Sequence, residues 1–177
     1  ISNNNWLSID DNNNIVGKPT NQDVGLNIVE IIAYDKFNQT ATQVINIDVK
    51  NINDSPYVDK DIQFNPLNQG DTFKYFLPNN AFYDPDLDVD TNEYLTYSFY
   101  ANDLSEDLSW ISINTNTGSI EGTPTNSNVG LLDLKIRATD QSGFFAEQDV
   151  SLQINNINDS PERTEYLPTF NNPFELN

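Results

Sequence analysis

The sequence has no cysteine, no methionine and no histidine. Missing cysteine removes disulfides and thiolate nucleophiles. Missing histidine removes the Ser-His-Asp triad, and losing both removes the usual zinc ligands. Basic residues are scarce as well, 8 against 27 acidic ones, for a net charge of −19. A phosphate backbone needs a basic footprint, so nucleic acid is excluded as a partner. Anionic membrane surfaces are disfavoured for the same reason. No apolar run approaches the roughly 20 residues that cross a bilayer, so no membrane span is expected. Helical periodicity is absent too. Paired carboxylates can cleave glycosides, but among so many acids such pairs arise by chance, and the chain reads as non-enzymatic.

What remains is acidic, rich in Asn and Asp, and written twice. Residues 6–56 contain Trp6, Gly17-Lys18-Pro19-Thr20-Asn21, Gly25, Ala33-Tyr34-Asp35 and Asn51-Ile52-Asn53-Asp54-Ser55-Pro56. Residues 110–161 contain Trp110, Gly122-Thr123-Pro124-Thr125-Asn126, Gly130, Ala138-Thr139-Asp140 and Asn156-Ile157-Asn158-Asp159-Ser160-Pro161. From Gly17 and Gly122 onward the matches keep one offset of 105 positions, about the length of a β-sandwich domain. The chain is therefore part of a tandem array. It divides into 1–56, the C-terminal half of a first repeat; 57–161, a complete repeat; and 162–177, the start of a further repeat or a free tail. The first half lacks what residues 57–105 give the second, and should show bare core and open strand edges. The chain is accordingly expected to be an excerpt of a longer protein.

Alternation sets the fold class. Leu132, Leu134, Ile136 and Ala138 alternate with Asp133, Lys135 and Arg137, and Val150, Leu152 and Ile154 alternate with Ser151 and Gln153. Leu95, Tyr97 and Phe99 do the same, as do Val29, Ile31 and Ala33 and Ile45, Ile47 and Val49. Period two with one polar face predicts half-buried antiparallel strands. Asn116-Thr117-Gly118 and Gln141-Ser142-Gly143 supply turns between them. About seven short strands at this spacing predict an all-β Greek-key sandwich of the cadherin and immunoglobulin type. Trp6 and Trp110 are expected to plug one end of the core.

Two stretches could carry chemistry. One is Asn51–Pro56, copied at 156–161; the other is Asp84-Pro85-Asp86-Leu87-Asp88-Val89-Asp90. Calcium takes six to eight oxygens from carboxylates, amides and carbonyls. Neighbouring carboxylates repel unless a cation holds them. An EF-hand is excluded by register: counting from Asp84, the sixth position is Val89 and the twelfth Leu95, where Gly and Glu are needed. Asp88 and Asp90 read as solvated bystanders.

The combination of Trp110-Ile111-Ser112-Ile113, Thr117-Gly118, Gly122-Thr123-Pro124-Thr125-Asn126, Val129-Gly130, Ala138-Thr139-Asp140-Gln141-Ser142-Gly143 and Asn156–Pro161 resembles the dystroglycan-type cadherin-like repeats of surface proteins. The resemblance covers residues 6–161. It implies a cadherin-like sandwich with calcium at the boundaries between units. Carried over, the ligands are Asn51, Asn53 and Asp54 from the joint, Asp84 and Asp86 from the following loop, Asp140 from a later one, and Asp23 from the preceding unit. Two departures stand out. The joint opens with Asn51 where cadherins place Asp, and the acidic pair after the bend is thinned to Asn21 and Asp23. One or two ions per joint are expected. The 156–161 joint should bind weakly within this chain.

The resemblance implies an extracellular, calcium-stiffened repeat of a large cell-surface adhesin or fibre, with neighbouring repeats of the same protein as partners and a protein or glycan as adhesion ligand. A second reading is a carbohydrate-binding module with Tyr94, Tyr100, Phe144 or Phe145 as its aromatic platform. A third is a filament subunit whose segment 162–177 pairs head-to-tail with another copy's open first half.

Overall fold

The alternating stretches become strands in the computed structural model, which describes residues 5–161. The expected start of a further repeat, 162–177, lies outside the described residues. Strand β1 (Leu7–Ile9) pairs antiparallel with β2 (Ile15–Gly17), and β3 (Gly25–Tyr34) with β4 (Thr40–Val49). Nine strands follow: β5 (Tyr57–Val58), β6 (Leu67–Asn68), β7 (Phe73–Tyr75), β8 (Phe82–Tyr83), β9 (Thr96–Ala101), β10 (Ile111–Ile113), β11 (Ile120–Gly122), β12 (Gly130–Thr139) and β13 (Phe145–Asn155). One sheet runs β6-β13-β12-β9, a second β10-β11-β7, and β5 pairs with β8. The fold is all-β and immunoglobulin-like.

Period two decides which residues make the core. Leu134, Ile136 and Ala138 of β12, Leu152 and Ile154 of β13 and Ile120 of β11 are buried between the two larger sheets, with Phe73, Tyr75 and Trp110 packed against them. Trp110 lies over Gly122 because nothing larger fits there. A β-carbon at Gly122 would stand 2.5 Å from the Trp110 carbonyl oxygen, and at Gly17 2.6 Å from that of Trp6. The turn after β12 uses Gly143 at φ +90°, the left-handed region glycine enters without cost.

The first half repeats this design without its neighbours. Gly25 faces Val49 as Gly130 faces Ile154. But β12 lies between β13 and β9, whereas β3 pairs with β4 alone among the described residues. Ile31 is consequently half-buried where its counterpart Ile136 is sealed. Leu26, Ile32, Tyr34 and Val44 are exposed.

On the outer face of the larger sheet, the Arg137 guanidinium stacks 4.0 Å from the Phe145 ring centre and 5.5 Å from that of Tyr100. Glu147 accepts from the Tyr100 hydroxyl and from Arg137 Nε at 2.7 Å. The Tyr100 hydrogen bond, then that of Arg137, holds the Glu147 carboxyl below its ordinary 4.5. A carboxylate depressed on folding adds stability above its unfolded value, and that stability is lost as pH falls through the folded one. Glu147→Gln should therefore be less stable than the parent chain at pH 7, with the gap closing below about pH 4 in urea titrations. A gap independent of pH would assign the effect to packing.

Candidate functional site at the 51–56 joint

Residues 51–56 run between β4 and β5 without regular structure, so their polar groups must find partners outside a ladder. They find them in two loops of the following sandwich. Asn51 Nδ2 donates to Asp86 Oδ1 at 2.9 Å, and the Asp54 backbone N–H to Asp86 Oδ2 at 2.7 Å. Asn53 Nδ2 donates to Asp140 Oδ2 at 3.0 Å. From the preceding unit, Asn21 Nδ2 donates to Asp54 Oδ2 at 2.7 Å.

Local sequence explains how the acids reach this point. Asp84 follows β8 and caps a 3-10 turn at Pro85–Asp88, its Oδ1 accepting from the Asp86 N–H at 2.9 Å. Pro85 fits the first position of that turn, where its missing N–H costs nothing. Asp140 ends β12 and closes the turn to β13, its Oδ1 accepting from the Phe144 N–H at 2.8 Å. Asp84, Asp86 and Asp140 are 0%, 1% and 5% exposed.

Burying carboxylates this way is costly unless each finds donors or a cation. Burial pushes the Asp84 carboxyl up from its ordinary value; the Asp86 N–H opposes this, and the charges of Asp86, Asp140 and Glu93 add to it. Asp84 Oδ2 is buried with no hydrogen-bond partner among the described residues. Among the described residues no three acid side chains meet as a ready metal cluster; the Asn51 and Asn53 amides donate to Asp86 and Asp140. An amide has an acceptor at one side and donors at the other, so a half-turn of each would present an oxygen instead. A hard oxygen set, an orphan carboxylate oxygen and buried acids that repel one another fit a calcium ion.

The remaining sequence candidates fall elsewhere. Asp23 Oδ2 accepts from Thr20 N at 2.8 Å and Thr20 Oγ1 at 2.9 Å, which closes its own turn, and its neighbour Asn21 is the residue that reaches Asp54. Asp88 accepts from the Tyr83 hydroxyl, which raises that phenol to about 12. Asp90 Oδ1 accepts from Asn92 N at 2.9 Å. Of the aromatics, Tyr94, Phe144 and Phe145 are exposed, and Tyr100 and Phe145 flank Arg137.

Two residues escaped the sequence reading. Glu93 accepts from Gln141 N at 3.3 Å and adds its charge beside Asp84. At the second joint, Gln69 Nε2 donates to Asp159 Oδ2 at 3.0 Å and to the Ile157 carbonyl at 3.2 Å. Both lie in 57–105, which occurs once, so no second copy marked them. The Asn21–Asp54 contact did carry a signal, because Asn126 repeats it on Asp159 at 2.6 Å.

A family model described as "Putative Ig domain" matches residues 56–155. Among curated proteins none matches. Solved structures of similar shape include a protocadherin gammaB7 EC3-6 cis-dimer, at 20% identity and TM-score 0.62 over 87% of this chain and 40% of that one. Mouse cadherin-23 EC22-24 follows at 14% identity and TM-score 0.63, over 89% and 51%. The extracellular cadherin domains 1-5 of protocadherin gamma B2 share 16% identity at TM-score 0.59, over 86% and 31%. The chain thus spans about half or less of these structures, and the likeness is one of fold.

Proposed function

Because the chain belongs to the Ig-domain family whose model covers residues 56–155, we propose that it is a calcium-stiffened repeat of a large extracellular adhesin or fibre. The finer kinship, with dystroglycan-type cadherin-like repeats, is part of this reading and rests on the repeated words of the sequence. Residues 57–161 act as a complete repeat and 1–56 as the back half of another. Its partners are the neighbouring repeats of the same protein and a protein or glycan on an opposing surface.

The observation that carries this reading is the burial of Asp84, Asp86 and Asp140 against Asn51, Asn53 and Asp54. Side chains of the joint already reach two loops of the next sandwich. A bound calcium ion supplies the positive charge these acids lack and shares ligands from both sides of the joint. Asp84, Asp86 and Asp140 come from two loops of the following unit, while Asn51, Asn53 and Asp54 supply the linker's oxygens. Asp23 belongs to the set by resemblance alone. Without the ion, neutral amides restrain the linker through single hydrogen bonds to carboxylates, each contributing about 1.5–3 kcal/mol.

Two variants test it. Asp86→Asn should abolish most calcium binding in calorimetric titration, whereas Asp90→Asn should retain it. Both remove one negative charge, so relief of general repulsion cannot separate them. Equal titrations would overturn the reading in favour of diffuse charge.

A further inference from the structure

We propose that Asn38, on the turn between β3 and β4, is an acceptor for an N-linked oligosaccharide. The chain holds three Asn-x-Ser/Thr triplets, at Asn38, Asn53 and Asn158. Such a triplet accepts N-linked glycan when it lies on the surface of an exported protein. The three have very different surroundings.

Asn38, Gln39 and Thr40 are all exposed, and Thr40 is the terminal rung of the hairpin, opposite Tyr34. The turn is held without the Asn38 side chain. Asp35 Oδ1 accepts from the Phe37 and Gln39 N–H groups, both at 2.8 Å, and the Asp35 N–H donates to the Gln39 carbonyl at 2.9 Å. The Asn38 backbone N–H donates to the Asp35 carbonyl at 3.0 Å, while its side-chain amide makes no hydrogen bond among the described residues.

The second repeat shows that this place stays open when a unit precedes it. The counterpart of Asn38, 105 positions on, is Gly143. Both are left-handed, at φ +61° and +90°. Gly143 is exposed even though Asn53 of the preceding joint reaches Asp140 of the same turn. Gln39 and Thr40 correspond to Phe144 and Phe145, so the second repeat makes the turn without the triplet. What the first repeat adds is an amide and a hydroxyl two residues apart.

The other triplets are poor acceptors. Asn53 Nδ2 donates to Asp140 Oδ2 at 3.0 Å and to the Asp54 carbonyl at 2.6 Å, and a sugar on that nitrogen would break the joint. Asp159, the middle residue of the third triplet, is held by Gln69 Nε2 at 3.0 Å and Asn126 Nδ2 at 2.6 Å. In both, the Ser precedes a proline, which restricts its backbone.

The donor is a lipid diphosphate-linked oligosaccharide, brought by an oligosaccharyltransferase. Asn38 Nδ2 bonds to the anomeric carbon of the first sugar, the bond from that carbon to the diphosphate oxygen breaks, and one amide proton is lost to solvent. Nothing is oxidised or reduced. The product places a bulky hydrated group beside Phe37, which is 73% exposed. The assignment rests on the extracellular part of the function proposed above and not on its calcium. Failure here leaves the calcium titrations untouched, and their failure leaves Asn38 untouched.

The probe is the folded 1–177 chain, incubated with a purified oligosaccharyltransferase and a lipid diphosphate-linked oligosaccharide, then read by intact mass and peptide mapping. We expect a mass gain of one oligosaccharide per chain, carried by Asn38. Asn38→Gly should lose the gain while keeping the turn, since Gly143 makes the same turn in the second repeat. Thr40→Ala should lose it too and Thr40→Ser keep it, which separates the need for a hydroxyl from any effect on the strand. No gain in the parent chain, under conditions that modify a control Asn-x-Thr peptide, would overturn the proposal. So would a gain that survives Asn38→Gly or maps mainly to Asn53 or Asn158.

Discussion

Calcium at a hundredfold excess over its dissociation constant should stabilise the folded chain by about 2.7 kcal/mol relative to EDTA. For a sandwich of this size each 1 kcal/mol moves the melting temperature by roughly 4–8 °C, so a rise on the order of 10–20 °C is expected. The physical cause lies in Asp84, whose Oδ2 is buried without a hydrogen-bond partner among the described residues, and in Asp86 and Asp140, which are buried too. Hydrogen bonds from neutral amides offset only part of the cost of keeping those groups out of water. Magnesium should do less at equal concentration, because it demands tight octahedral geometry and gives up its waters reluctantly. Identical melting curves in EDTA and in millimolar calcium would end the calcium reading. Equal responses to the two ions would reduce it to screening of net charge.

The second large effect separates the two halves of the repeat. Ile136 is 0% exposed between the sheets, whereas Ile31, 105 positions earlier, is half-buried on a strand whose ladder among the described residues is with β4 alone. Ile136→Ala should cost about 2–5 kcal/mol, the transfer term plus a cavity that close-packed neighbours cannot fill. Ile31→Ala removes the same atoms from a place that water already reaches, and should cost less than about 1 kcal/mol, near the ordinary range for exposed positions. Urea denaturation at fixed pH compares them directly. Similar losses would mean that the first half has a closed core of its own.

Strands that are polar on one face were legible before any coordinate, and the reason is physical. Leu132, Leu134, Ile136 and Ala138 could share a face only in an extended chain, and they do. The long hairpins β3-β4 and β12-β13 announced themselves in this way. The two-residue strands β5, β6 and β8 did not, because a strand of two residues has no period. Their positions depend on partners far along the chain, as β6 depends on the end of β13.

The joint was legible in part. The alternate acids of 84–88 suggested an extended loop with Asp84, Asp86 and Asp88 close together. The loop is instead a 3-10 turn that keeps Asp84 and Asp86 together and sends Asp88 to Tyr83. Asn51, Asn53, Asp54, Asp84, Asp86 and Asp140 are drawn into one set of contacts. Asp23 was assigned from the family pattern, and the structure has its carboxylate engaged with Thr20. Sequence position alone could not say which of two polar residues of one turn, Asn21 or Asp23, reaches toward the linker. That depends on the capping turn, which consumes one side chain and releases the other.

The parallel contact between β6 and the end of β13 bears on how the molecule would carry load. Leu67 and Asn68 lie beside Ile154 and Asn155 in the same direction, and Gln69 N donates to the Asn155 carbonyl at 3.0 Å. In a chain of such repeats joined end to end, tension would enter this sandwich at β5 after Pro56 and leave after β13, and it would load the contact between β6, the second strand, and β13 along the strand direction. In that geometry the cross-strand bonds share the strain together, where an antiparallel pair pulled from one end would part bond by bond. The Gln69 side chain extends the latch to the Ile157 carbonyl and Asp159. The shortest strand of the larger sheet thereby ties the front of the sandwich to its last strand, where a pull on the two ends would load it in shear.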